Sequence, residues 1–102
     1  TERSPLAGRR LLLVEDEALI ALQIEETLRD VGCEVIGPAA TVADALALLE
    51  RETPDLAILD INLAGETSFP VAEALQARGV VFVFATGYAP DRTLPARFPG
   101  VP

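Results

Sequence analysis

The sequence predicts an α/β domain, a parallel sheet with helices on both faces, and three observations lead there. Short unbroken apolar runs recur at Leu11 to Val14, Leu56 to Leu59 and Val80 to Ala85, as strands buried on both faces require. The segments between them carry apolar residues at helical spacing and end in glycine or proline. Acidic residues stand directly behind the first and third strands, at the edge where open parallel sheets bind ligands.

Taken in order, Thr1 to Gly8 has no periodicity and reads as a loose leader, so the domain is expected over residues 9–102. Leu11 to Val14 is the first strand. Behind it, Ile20, Ile24, Leu28 and Val31 recur at intervals of four, four and three, the stripe of an amphipathic helix that Gly32 stops. Glu34 to Gly37 is a second strand closed by Pro38. Thr41 and Asp44 have capping-box spacing ahead of a helix from about Val42 to Glu52, ended by Pro54. Leu56 to Leu59 is the third strand, and Asn62 to Ser68 reads as a polar loop. Ser68 can cap a third helix with Pro70 in its first turn and Val71, Ala74 and Leu75 toward the core, and Gly79 ends it. Val80 to Ala85 is the fourth strand. Beyond Gly87, four prolines leave room for one short helix at most, around Asp91 to Leu94. Right-handed crossovers place the helices on both faces of the sheet, and in a sheet of order 2-1-3-4 the first and third strands are neighbours.

Composition removes several functions. With 102 residues, half of them hydrophobic, the chain suits one core. No apolar run approaches the roughly 18 residues of a membrane span, and the run after Arg10 meets Glu15, Asp16 and Glu17 too soon for a signal peptide. The cytoplasm is therefore the expected compartment. Cys33 is the single cysteine, read as a small buried filler. A net charge of −8 opposes direct nucleic-acid binding. No histidine is present, which removes the usual zinc sites and imidazole chemistry. The turn after the first strand lacks the glycines of dinucleotide and P-loop sites. Carboxylates and hydroxyls must carry any chemistry.

Glu15 and Asp16 end the first strand, Asp60 the third and Thr86 the fourth, so the topology gathers all four at one edge. Singly, each has a plain structural reading: Asp16 as a helix cap, Glu15 as a solvated turn residue, Asp60 as a turn former, Thr86 as a strand end. Their convergence favours a site. Carboxylates crowded on neighbouring strands repel one another, and a divalent cation relieves that cost. Two or three carboxylates without a closed cage suit Mg2+, which keeps several waters and shares them with phosphate.

Three stretches carry a family resemblance: Leu11 to Glu17 (Leu-Leu-Leu-Val-Glu-Asp-Glu), Asp55 to Asn62 (Asp-Leu-Ala-Ile-Leu-Asp-Ile-Asn) and Phe84 to Tyr88 (Phe-Ala-Thr-Gly-Tyr). Together they resemble the signature blocks of response-regulator receiver domains, over about Arg9 to Tyr88. The last block is similar to a subgroup with a Phe-Ala-Thr-Gly motif, although Tyr88 here follows Gly87 directly. The resemblance implies a flavodoxin-like (βα)5 fold of order 2-1-3-4-5 in a bacterial two-component system. It implies Asp60 as phosphoacceptor, Mg2+ held by Asp16, Asp60 and the main-chain oxygen of Asn62 with Glu15 assisting through water, and Thr86 contacting the phosphoryl group. Asn62 and Tyr88 are implied to tune dephosphorylation. The implied partners are a histidine kinase or histidine phosphotransfer protein upstream, and an effector protein or attached output domain downstream. Residues 87 to 98 become the expected switch.

One family element has no counterpart. Receivers place a lysine after a fifth strand, yet all eight basic residues here are arginine, and Phe98 to Pro102 stands where that strand should begin. Either the sequence continues beyond Pro102 or the domain is degenerate; Arg92 and Arg97 read as solvated loop arginines rather than substitutes. Two alternatives to phosphoacceptance follow. One is a receiver-like module that binds partners without phosphorylation. The other is an aspartyl-phosphate phosphatase, disfavoured because Asp60-Ile61-Asn62 offers no second acid two residues on.

Overall fold

A strand buried on both faces needs apolar side chains at consecutive positions, and Leu11, Leu12, Leu13 and Val14 meet that demand with almost no exposure. A computed structural model, in which residues 7–84 are described, builds them into β1 (Arg10–Val14). Next come α1 (Ala18–Asp30), β2 (Glu34–Ala39), α2 (Val42–Arg51) and β3 (Leu56–Leu59). The short strands β4 (Asn62–Leu63) and β5 (Glu66–Thr67), then α3 (Phe69–Ala77) and β6 (Val81–Phe84), complete the described elements. The main sheet has the order β2-β1-β3-β6, and all its pairings are parallel. This is the expected 2-1-3-4 arrangement, with β6 as the fourth sequence-predicted strand, and the flavodoxin-like reading stands. No described helix is long and apolar enough to cross a membrane.

Alternation along the strands divides the core in two. Leu12, Val14, Ile36, Ala57, Leu59 and Phe82 face α2 and α3, where Ala45, Leu49, Val71, Ala72 and Leu75 complete the larger cluster. Leu11 and Leu13 face the other way onto Ala21 and Leu28 of α1, with Cys33 beside them. Cys33 is the buried filler expected, and its Sγ lies 3.2 Å from the Arg9 carbonyl oxygen. Phe84 meets Phe82 and Phe69 edge to face at centroid distances of 5.7 and 6.2 Å, a favourable arrangement of ring quadrupoles.

The structure corrects several local expectations. Ile20 does not join the core stripe: α1 buries Ala21 and Leu28, with Ile24 half-buried, and leaves Leu19, Ile20 and Leu22 exposed. Ala18 opens the helix with Glu17 at the N-cap position, so Asp16 is no helix cap. β2 does not stop at Gly37 but runs through Pro38 to Ala39, which an edge strand tolerates because its outer side needs no donor. Asn62 to Ser68 is not a plain loop, since β4 and β5 pair as a tight antiparallel hairpin. Ser68 occupies the N-cap position of α3, yet its side chain makes no capping bond and its Oγ is buried without a partner. By contrast, the Thr41 hydroxyl accepts the Asp44 N–H at 3.0 Å, as its spacing predicts. Part of the predicted leader is tied down, because the Gly8 N–H donates to the Gly32 carbonyl at 2.9 Å. The short helix expected near Asp91 lies outside the described residues.

An acidic pocket at the carboxyl edge of the sheet

The pocket is assembled by the backbone before any side chain contributes. β1 and β3 run side by side in register, Val14 opposite Leu59, so the residues that follow each strand emerge together. The Asp60 N–H donates to the Val14 carbonyl at 2.9 Å, which anchors Asp60 beside the end of β1. On the other flank, the pairing of β1 with β2 shifts between Leu12 and Val14 and sets Ala39 opposite Val14. There the Ala39 carbonyl accepts the Glu15 N–H at 2.9 Å. Gly37 makes this irregularity feasible: its φ is +101°, and a Cβ there would lie 2.8 Å from the Ala39 nitrogen and 2.9 Å from the Leu13 oxygen.

Held in this way, Glu15, Asp16 and Asp60 each offer a carboxylate oxygen within 4.8 Å of the other two. Their environments differ. Glu15 is buried, with 5 % of its surface exposed, whereas Asp16 is exposed and Asp60 half-buried. Burial raises the Glu15 carboxyl to about 7, the Glu17 N–H at 3.0 Å from its Oε2 opposes that rise, and the nearby Asp60 and Asp16 carboxylates add to it. Unit charges at 4.8 Å repel by roughly 3 kcal/mol at an effective dielectric of 20. The donor set is hard oxygen, and among the described residues no cation pairs with it, which fits a magnesium ion better than calcium with its larger coordination shell.

Three of the sequence-predicted site residues, Glu15, Asp16 and Asp60, are thus brought together. Asn62 opens the hairpin two residues beyond Asp60. Thr86, Tyr88, Arg92 and Arg97, with the whole of the expected switch over residues 87 to 98, lie outside the described residues. Sequence reasoning missed one participant, the main-chain amide of Ala64, which donates to Asp16 Oδ2 at 3.0 Å. No side-chain pattern could have announced it.

Comparison with known proteins gives this geometry a lineage. Residues 11–95 match the response regulator receiver domain. The transcriptional regulatory protein PdtaR of Mycobacterium tuberculosis is 32 % identical over 80 residues, covering 78 % of this chain and 39 % of that protein. The phyllosphere-induced regulator PhyR of Methylorubrum extorquens is 36 % identical over 92 residues, covering 87 % of this chain and 34 % of that protein. The chain therefore spans between a third and two-fifths of the length of these curated relatives. Among solved structures, SdrG from Sphingomonas melonis Fr1 superposes with a TM-score of 0.75 at 47 % identity, over 89 % of this chain and 79 % of that one. SdrG has also been solved in a BeF3-activated conformation. A strand order, an acidic pocket at the carboxyl edge and a family match that runs through both lead to one assignment: the chain belongs to the response regulator receiver domains of bacterial two-component systems.

Proposed function

We propose that residues 9–102 act as a phosphoacceptor in which an Asp60 carboxylate oxygen takes a phosphoryl group from a phosphohistidine. The donor would be a histidine kinase or a histidine phosphotransfer protein. The observation that carries this reading is the gathering of Glu15, Asp16 and Asp60 oxygens within 4.8 Å of one another, one of the three groups being buried. The BeF3-activated conformation of SdrG lends support, because a trifluoride of beryllium imitates a phosphoryl group on a carboxylate.

In the proposed reaction Asp60 attacks phosphorus in line, the new O–P bond forms as the P–N bond breaks, and the electron pair departs on the imidazole nitrogen. Glu15, Asp16, Asp60 and the main-chain oxygen of Asn62 would hold Mg2+, which supplies counter-charge to the phosphoryl oxygens when bound. Asp60 is held for attack by its N–H bond to Val14. Glu15, buried near it, would contribute charge to the cation once deprotonated rather than act as a nucleophile. Thr86 would donate its hydroxyl to a phosphoryl oxygen, and the added negative charge would draw in residues 87 to 98 and so alter the surface offered to an effector or output domain.

Treatment with acetyl phosphate and magnesium should add one phosphoryl group per chain, labile at alkaline pH and visible by intact mass. Asp60→Asn should abolish the adduct, and a chelator should prevent it. An adduct of equal stoichiometry in Asp60→Asn would overturn the assignment. A second reading, partner docking without phosphorylation, is favoured if no lysine stands after Pro102 to join the pocket. It predicts no adduct in the parent chain under the same conditions.

A further inference from the structure

We infer that the β4–β5 hairpin is a positioning device for Asp16, with the Ala64 amide as its contact point. The inference rests on the proposed role of Asp16 beside a cation. The hairpin is tight: Asn62 pairs with Thr67 and Leu63 with Glu66, leaving Ala64 and Gly65 as a two-residue turn. Both turn residues have positive φ, +50° at Ala64 and +88° at Gly65, the combination that a type I′ hairpin turn demands. Glycine adopts it freely, but alanine does so only against its preference. A strained residue persists where its surroundings over-determine it.

The surroundings of Ala64 identify what that strain accomplishes. The turn aims the Ala64 N–H at Asp16 Oδ2, 3.0 Å away and 48 residues distant in sequence. The bond is charge-assisted, and it commits one lone pair of a carboxylate that has about four. Coordination capacity therefore remains. Asp16 needs such a tether because it is exposed and follows β1 rather than lying within it, so neither packing nor the sheet fixes its rotamer. The base of the hairpin is fastened as well: the Ser68 N–H donates to the Ile61 carbonyl at 2.7 Å, and Leu63 is fully buried. One rigid unit thus governs the placement of Asp16 and of the Asn62 carbonyl together.

Amide hydrogen exchange on the full chain without metal tests the tether directly. The Ala64 amide should be protected, and Asp16→Ala should accelerate its exchange at least fivefold while leaving the β1 and β3 amides unchanged. Unaltered exchange at Ala64 in that variant would remove the tether. Two turn variants test its purpose. Gly65→Val should loosen the turn through φ alone, since a Cβ there meets nothing within 4 Å, and should weaken magnesium affinity several-fold. Ala64→Asn, which suits the left-handed conformation, should tighten affinity and further protect residue 64. Equal magnesium affinity in the parent and both variants would overturn the positioning role. Protection lost in Asp16→Ala from a parent chain that binds no magnesium would uphold the tether and instead count against the phosphoacceptor reading.

Discussion

The two edges of the sheet treat charge in opposite ways. At the amino edge one cation sits among three acids: the Arg10 guanidinium hydrogen-bonds Glu52, its Nε lies 3.7 Å from Glu34, and its main-chain N–H donates to Asp55 at 2.8 Å. The Glu52 hydrogen bond raises the Arg10 pKa more than any other partner there. At the carboxyl edge Glu15, Asp16 and Asp60 converge, and among the described residues no arginine pairs with them. The same strand, β1, joins the two sites across roughly 13 Å. Where the protein supplies its own counter-ion, the cluster ties β1 to its neighbours. Where no described arginine pairs with the acids, charge repulsion is left for a ligand to relieve, so the less stable edge is the one proposed to bind.

The largest expected effect follows from Glu15. Its folded pKa is about 7 against an ordinary value of 4.5, so the folded state keeps a proton that the unfolded chain releases. Stability is therefore lost as pH rises from about 4.5 and fully lost once pH exceeds about 7, by up to about 3 kcal/mol. Urea denaturation with a chelator present, for the parent chain and Glu15→Gln, should show a difference curve that falls through this window. A flat difference curve would refute the buried-carboxyl account. Saturating magnesium should flatten the parent's curve.

A smaller effect is expected at Asp60. Asp60→Asn removes one of the crowded charges and should stabilise the metal-free chain by about 1 kcal/mol at pH 7.5, while magnesium should protect the variant less than the parent against urea. Destabilisation instead would mean that the three carboxylates do not repel one another as their spacing implies.

Least of all should the amino edge affect the site. Arg10→Met should lower the urea midpoint, yet leave magnesium affinity within about twofold, because sites this far apart behave additively. A larger change in affinity would show that the two edges are coupled through β1.

What the sequence revealed follows the same division. Strands buried on both faces announce themselves as apolar runs, and the carboxylates that end them could be located from topology alone, so Glu15, Asp16 and Asp60 were legible before any coordinates. The Thr41 cap was legible because a side chain makes it. Features made by the main chain were not. Ala64 carries no turn signature, since asparagine or glycine would be expected at a positive φ, so the hairpin read as a loop. Pro38 read as a stop because edge position is a tertiary property. Ile20 misled because four-residue spacing fits more than one helical face, and the sheet contacts Ala21 instead.

The central place of β1 also has a consequence for biosynthesis. Leu11 to Val14 pairs on both sides, with β2 and with β3, and both partners come later in the chain. At about 5 to 20 residues per second, roughly 2 to 9 s separate translation of Val14 from that of Leu59. Throughout that interval a strand that feeds both core clusters has no complete set of neighbours, and segments of this kind associate readily with one another. The acids at positions 15, 16 and 17 stand directly behind it, where charged flanks oppose the aggregation of an apolar strand.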